Sequence, residues 1–424
     1  MGVFARGTTS SSTVITKVAT GVALVASSAL VLSGCAGGSQ SETFPELLIG
    51  TALPQTGSLA YLGPPEEAGV ALAIADINAA DAGISIDVVY GDSGDGDNKA
   101  YETEIPRLLN EDVRAIIGAA SSGVSLSFID QVTKEAGVLQ VSPANTSTAL
   151  SDYDDDGLYW RTAPADFLQG EALGQLLAAD GHETAAFLTL NDAYGITLEE
   201  EATKAFEAAG GTVLGSASVN GGDTNLTSQV NEVLALDPSA LVVILFDETL
   251  TAIPEIVAGG FDSANIYMTD GNISQYGDKF PAGMLEGAKA TLPGPTSTSI
   301  ADDYKNRADA AWMALGNESL FTANDWAYST ESYDAVILVA LASLAAQSTK
   351  SAEIAAKMQE VSGGSGNGEK CTTFAACAEI INGGGVADYD GVSGPITFAD
   401  NGDPSEAAIG IYQYDAENLF SPVN

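Results

Sequence analysis

From residue 46 the chain alternates short apolar runs with longer segments whose apolar positions recur every three or four residues. Residues 47–52, 84–90, 115–118 and 138–142 show the first pattern and are expected to be strands. Residues 66–80, 99–110 and 123–136 show the second and are expected to be helices. In 66–80, Val70, Ile74 and Ile77 share a face, and Glu66 and Glu67 occupy the first turn, where the helix dipole favours carboxylates. Pro106 sits awkwardly inside 99–110, since proline has no N–H to donate. The rhythm then restarts, with helices expected at 166–179, 196–209, 226–236 and 249–258 and strands at 184–190, 212–219, 241–246 and 265–268. Gly210-Gly211 and Gly259-Gly260 close two of these helices. An Ala-rich helix at 328–346, a shorter one at 352–360 and a β-like end over 394–414 complete the pattern.

Apolar strands set between helices call for a parallel sheet covered on both faces, so the expected class is α/β. Two successive runs predict two Rossmann-like lobes. Turn-rich joints at 161–164, 292–295 and 394–395 predict three crossings and a three-strand hinge. This assigns 46–163 and 293–393 to lobe 1, and 164–292 and 394–424 to lobe 2.

The first 35 residues follow a different logic. Arg6 and Lys17 are the only charges before Cys35, residues 18–32 are small and apolar, and the run ends Leu32-Ser33-Gly34-Cys35. The stretch is too short and too broken by Gly and Ser to span a bilayer. It resembles a bacterial lipoprotein signal, in which Cys35 is acylated and becomes the mature N-terminus. Residues 36–45 then read as a flexible tether. A membrane-anchored, extracytoplasmic body is expected, and no later segment is apolar for long enough to cross.

Charge and soft ligands narrow the classes further. With 15 Lys+Arg against 57 Asp+Glu, the net charge is −42, which opposes binding to nucleic acid or to anionic lipid. One histidine and three cysteines leave too few ligands for a structural zinc site. His182, in the turn Asp180-Gly181-His182-Glu183, reads as a surface loop residue. No metal or cofactor is expected. Asp152-Tyr153-Asp154-Asp155-Asp156-Gly157 begins like a calcium loop, but Ala163 stands where the bidentate Glu is required, so an acidic surface turn is expected. Cys371 and Cys377 lie too far apart for a bridge within one unbroken helix. Outside the cytoplasm a disulfide across a turn is expected.

In open α/β sheets ligands bind beyond the carboxyl ends of the strands. The segments there are Gln55-Thr56-Gly57-Ser58 with Tyr61, then Ala119-Ala120-Ser121-Ser122, then Pro143-Ala144-Asn145-Thr146. The second run supplies Asn191-Asp192-Ala193-Tyr194-Gly195, Asp247-Glu248 and Thr269-Asp270-Gly271. One wall thus offers neutral donors and the other carboxylates and a tyrosine, which suits a zwitterion lying between them. For single residues a structural role competes. Ser121 and Ser122 suit a helix cap, and Asp270-Gly271 suits a turn.

These segments, together with Ile49 to Gly57, Ala115 to Ser122, Ser142 to Thr146, Asn191 to Gly195 and Gly394 to Phe398, resemble the branched-chain amino-acid (Leu/Ile/Val) binding family, the solute-receptor lipoproteins of ABC importers. The resemblance spans nearly all of 46–424. It implies a type I periplasmic-binding-protein fold with an interlobe cleft that closes on a small amino-acid-like ligand. The partners it implies are a membrane ABC permease and the lipid anchor, with the body a monomer. By the same resemblance Ser121, Ser122, Ala144 and Thr146 hold the ligand carboxylate, and Tyr61 and Tyr194 line the cleft. Asp270 or Asp247 meets the ammonium. Asn145-Thr146-Ser147 departs from the family's commoner Ala-Thr-Asn, which leaves the register of that loop open. The family also includes binders of amides, urea and aromatic acids. No enzymatic activity is expected. The rival readings are a lipid-anchored envelope hydrolase using paired carboxylates and a ligand-sensing receptor.

Overall fold

The computed structural model describes residues 46–322 and 325–423. The signal, Cys35 and the tether fall outside them. The first sheet is built from β1 (Leu47–Ala52), α1 (Gly63–Ala80), β2 (Ile86–Val89), α2 (Tyr101–Asn110), β3 (Ala115–Gly118), α3 (Ser122–Asp130), β4 (Leu139–Ser142) and β5 (Tyr159–Arg161). Its strands are all parallel in the order β2-β1-β3-β4-β5. The second comprises α4 (Asp166–Ala179), β6 (Thr184–Leu190), α5 (Ala193–Ala208), β7 (Thr212–Val219), α6 (Thr227–Leu234), β8 (Ala240–Ile244), α7 (Thr249–Ala258), β9 (Ile266–Met268) and β10 (Lys289–Pro293). There the parallel order β7-β6-β8-β9-β10 repeats the first sheet's topology.

After β10 come α8 (Asp302–Ala314), α9 (Ser329–Ala346), α10 (Ser351–Val361), β11 (Glu369–Cys371), α11 (Phe374–Asn382), β12 (Ala387–Tyr389), β13 (Ile409–Tyr414) and β14 (Phe420–Pro422). The helices cover the first sheet, and β13 returns antiparallel to β10 in the second. α9 is apolar on nearly every face, as a helix in a large core must be. By length and hydropathy alone it passes for a membrane span, yet 89% of it is buried in the protein.

Several expectations are revised. α1 starts three residues early because Pro64 and Pro65 fill its first turn, where a missing N–H costs nothing. α2 accommodates Pro106 within its ten residues. β5, β10, α8 and α11 were not expected. Ile396 and Phe398 pack into the core under the first sheet, Phe398 edge-on to Trp160 with ring centroids 5.0 Å apart, so the chain reaches the second sheet only at β13. Cys371 ends β11 and Cys377 lies in α11, joined by a disulfide with their Cα atoms 5.4 Å apart. The strand-to-helix corner supplies the turn that a single helix lacks.

Candidate functional site

Beyond β3 the chain turns straight into α3. Ser121 caps that helix, its Oγ accepting from Val124 N–H at 3.3 Å, so its hydroxyl has the structural role that competed for it. Ser122 Oγ accepts from Thr146 N–H at 3.3 Å and Ser147 N–H at 3.2 Å. Among the described residues it makes no other hydrogen bond, which leaves its proton to donate. Asn145 fastens the same two loops, its Nδ2 donating to the carbonyls of Ala119 at 2.9 Å and Ala120 at 2.7 Å. Residues 119–122 and 143–148 therefore form one uncharged platform. Thr146 Oγ1 is buried and, among the described residues, has no hydrogen-bond partner within 3.5 Å.

Behind the platform Arg161 is fully buried. It pairs with Asp403 at 2.6 Å and donates to the carbonyls of Asn145 at 3.2 Å and Ser147 at 2.8 Å, and to Ser151 Oγ at 2.8 Å. The first and third crossings are thus tied to each other and to the loop that carries Thr146.

The facing wall comes from the second sheet. Asp192 caps α5 through Gly195 N–H at 2.8 Å, which sets Tyr194 in the first turn. The Tyr194 hydroxyl lies 2.7 Å from Thr269 Oγ1 and 2.9 Å from Asp270 Oδ1, and accepts from Gly271 N–H at 3.0 Å. A Cβ on Gly271 would lie 2.8 Å from the tyrosine ring, so only glycine lets that ring close on Asp270. Phe246 stacks on Tyr194 with centroids 5.5 Å apart. Asp270 accepts from Gln169 Nε2 at 2.9 Å and from the Tyr328 hydroxyl at 2.7 Å. Tyr61 reaches over from the first side and donates to the Asp270 carbonyl at 3.1 Å.

Burial raises the Asp270 carboxyl above the usual carboxylate range, while its bonds from Tyr328, Gln169 and Tyr194 pull it back. Burial likewise holds the Tyr61, Tyr194 and Tyr328 phenols well above their ordinary values, so all three remain neutral donors.

The strand ends converge on one cavity lined by Ser121, Ser122, Ala144, Tyr194, Asp270 and Tyr328, with Leu59, Leu62 and Phe246 among its apolar walls. Thr146 lies against it through Ser122, and Tyr61 bridges it. Asp247 is not in its lining. It is exposed, its carboxyl raised by partial burial and lowered by Lys279. The cavity is narrow in this closed arrangement. About 10 Å³ of it admits the centre of a water molecule, roughly one water's worth, so the walls must part for anything larger. A wider groove between α4 and α5, lined by Phe167, Glu201 and Lys204, is an outer helix surface away from the strand ends.

Sequence reasoning missed Tyr328 and Gln169. Tyr328 precedes α9 with φ at 56°, a left-handed conformation with no strand before it to flag it. Gln169 lies inside α4. Elsewhere Asp155 is spent on the N–H groups of Gly157 and Leu158, and Asp154 pairs with Lys134. His182 is half-buried against Tyr267, at the opposite end of β6 from the cavity.

Comparison with known proteins fits this geometry. The family described as periplasmic binding protein matches residues 46–415. The chemotactic signal transduction system substrate-binding protein BasB of Halobacterium salinarum is 25% identical over 363 residues, covering 82% of each chain. Leu/Ile/Val-binding protein homolog 1 of Brucella suis is 28% identical over 341 residues, covering 75% of this chain and 84% of the relative. The crystal structure of the leucine binding protein LivK of Thermotoga maritima superposes with a TM-score of 0.70 at 18% identity, over 89% of this chain and 98% of that one.

Proposed function

The chain belongs to the periplasmic binding protein family, and we propose on that premise that it is the extracytoplasmic receptor of an ABC importer, anchored by lipid at Cys35. It captures a small amino-acid-like ligand, a branched-chain amino acid or a related amide, between lobe 1 (46–163 and 293 to about 404) and lobe 2 (164–292 and about 405–424). One observation carries the reading. Asp270 is a buried carboxylate with no cation beside it among the described residues, and it faces a platform of uncharged donors. A dipolar ligand completes both walls. Its carboxylate meets the Ser122 hydroxyl and the free N–H groups at the start of α3, and its ammonium meets Asp270. Charge-assisted bonds of this kind are about twice as strong as neutral ones. Asp247, outside the cavity lining, is set aside for that role. Thr146 Oγ1, orphaned in the closed protein, gains a partner when the ligand arrives.

The cavity also gives no support to a hydrolase that needs a free carboxylate pair at its surface, because Asp270 is already engaged by three side-chain donors. Closure shifts only as far as the ligand's preference for the closed form allows. The name of the Halobacterium relative supports a second reading, in which the loaded form docks on a signal transducer in place of a permease.

Calorimetry with L-leucine, L-isoleucine, L-valine, L-alanine, L-alaninamide, urea and benzoate tests the ligand class. The expected result is binding of at least one amino acid, lost in Asp270→Ala. Silence across the whole panel, or binding of benzoate alone, would reject it.

A further inference from the structure

A second cavity lies where the chain passes between the two sheets. Three stretches link the sheets, and all three wall it: Thr162 and Pro164 in the first, Gly294 in the second, and residues 393–396 and 406–408 in the third. About 220 Å³ of it admits the centre of a water molecule, against about 10 Å³ in the cleft, and the two linings share no residue.

Much of the wall is apolar, from Pro164, Pro395, Ile396, Ala407 and Ala408, but Glu331 of α9 is built into it. Glu331 is 2% exposed. Its Oε2 accepts from the Thr330 hydroxyl at 2.9 Å. Its Oε1 rests on Gly294, where any Cβ would collide with it. Among the described residues no other residue donates to either oxygen, and Glu331 enters no ion pair. A second carboxylate, the exposed Glu406, lines the same space, and no lysine or arginine does. A buried carboxylate without a counter-charge is unfavourable. Burial accordingly lifts the Glu331 carboxyl to about 8, with Thr330 opposing the rise and Asp334 adding to it.

The start of α9 serves both cavities. Tyr328, just before the helix, donates to Asp270 in the cleft at 2.7 Å. Three residues on, the Glu331 carbonyl accepts from Thr162 Oγ1 at 2.9 Å, which fastens the first stretch. Asp334 accepts from the Ser393 N–H at 2.8 Å and its hydroxyl at 2.6 Å, which fastens the third. The Gly294 N–H donates to the Ala408 carbonyl at 2.9 Å and joins the second to the third. Movement of one sheet against the other therefore reshapes this cavity.

We propose that the cavity is a second ligand site, that it takes a small organic cation, an amine with a compact apolar body, whose charge meets Glu331, and that its occupant holds the cleft closed. An anion would meet two carboxylates there. A neutral solute would leave Glu331 without a counter-charge. An inorganic divalent ion needs six or more oxygens around it, which walls of proline, alanine and isoleucine do not offer. The shape of the cavity belongs to the arrangement in which the cleft is narrow, so an occupant that fits it favours that arrangement. By linkage, the cation and the cleft ligand then tighten each other's binding by the same factor.

Titration calorimetry with butylammonium at about pH 8, where the Glu331 carboxyl ionises, reads the site directly and needs no cleft ligand. Butylammonium should bind, and butan-1-ol, its uncharged counterpart, should bind about tenfold more weakly or less. Glu331→Gln removes the charge and Ala407→Phe, at an exposed position, fills the space; each should weaken butylammonium about tenfold or more. Asp270→Asn, which alters only the cleft, should leave butylammonium unchanged. Saturating butylammonium should tighten L-leucine about fivefold, and Glu331→Gln should abolish that gain. No heat with butylammonium, equal affinity for butan-1-ol, or loss in Asp270→Asn with retention in Glu331→Gln overturns the site, the last by placing the amine in the cleft. Unchanged L-leucine affinity overturns the hold on closure. Should Glu331→Gln fail to fold, Ala407→Phe decides. Should L-leucine not bind at all, the cleft reading fails, and the butylammonium titration still decides for the cavity.

Discussion

Asp403 and Asp270 are both buried carboxylates close to the junction of the two sheets, and they are finished in opposite ways. Asp403 meets the Arg161 guanidinium at 2.6 Å, and its other oxygen takes a bond from Ser151 at 2.7 Å. Asp270 has two phenols and an amide and, among the described residues, no cation. A buried charge with its counter-ion inside the chain is architecture. A buried charge without one is incomplete until something arrives. The difference lies in partners, since depth is nearly the same, and it separates the hinge from the cleft more sharply than residue type does.

The largest test removes the counter-ion from the finished side. Asp403→Ala leaves Arg161 buried and unpaired, and should destabilise the fold by about 3–5 kcal/mol, read by urea denaturation. A loss under about 1 kcal/mol would erase the contrast. On the other side, Asp270→Asn keeps the shape and removes the charge. Stability should hold or rise, while affinity for the amino acid falls by about 2 kcal/mol or more, roughly thirtyfold, read by calorimetry. Equal losses of stability at both positions would show that the two carboxylates do the same job.

Proton dependence gives a smaller effect. Burial lifts Asp166 to about 7 and Glu331 to about 8. The folded chain then binds protons that the unfolded chain has already released. Stability is therefore greatest on the acid side and is lost as pH rises through these values. The ligand-free protein should lose about 1–2 kcal/mol between about pH 7 and pH 8. A flat profile without ligand would place a counter-charge near Asp166 after all. Thr146→Val is the finest cut. It deletes a buried hydroxyl with no partner, so stability should not fall, while affinity drops by about 1 kcal/mol. A variant that loses stability and keeps its affinity would move Thr146 from the site to the scaffold.

Much of the architecture was legible because its strands are buried on both faces and so read as unbroken apolar runs, as 241–246 did. The parts missed have no such signature. β5 and β10 are short strands placed by their neighbours, and α8 opens with Asp302-Asp303-Tyr304-Lys305, too polar to announce a face. Ile396 and Phe398 looked like the start of the returning strand because apolar alternation does not say which core it will enter. In the cavity, Ser122, Ala144, Tyr194 and Asp270 were reachable because strand ends can be counted along a sequence. Tyr328 and Gln169 were not, since each meets Asp270 only after distant segments have folded together.

Arg161 has a consequence for what substitutions the molecule can tolerate. Its guanidinium spends donors in four directions at once, on Asp403, Ser151 and the carbonyls of Asn145 and Ser147. A lysine has a single point of charge and no planar fork, and could serve one or two of these. Exchange at this one position would slacken the bending joint and the grip on the cargo together, so the ease of closing and the tightness of holding cannot drift apart by small steps there.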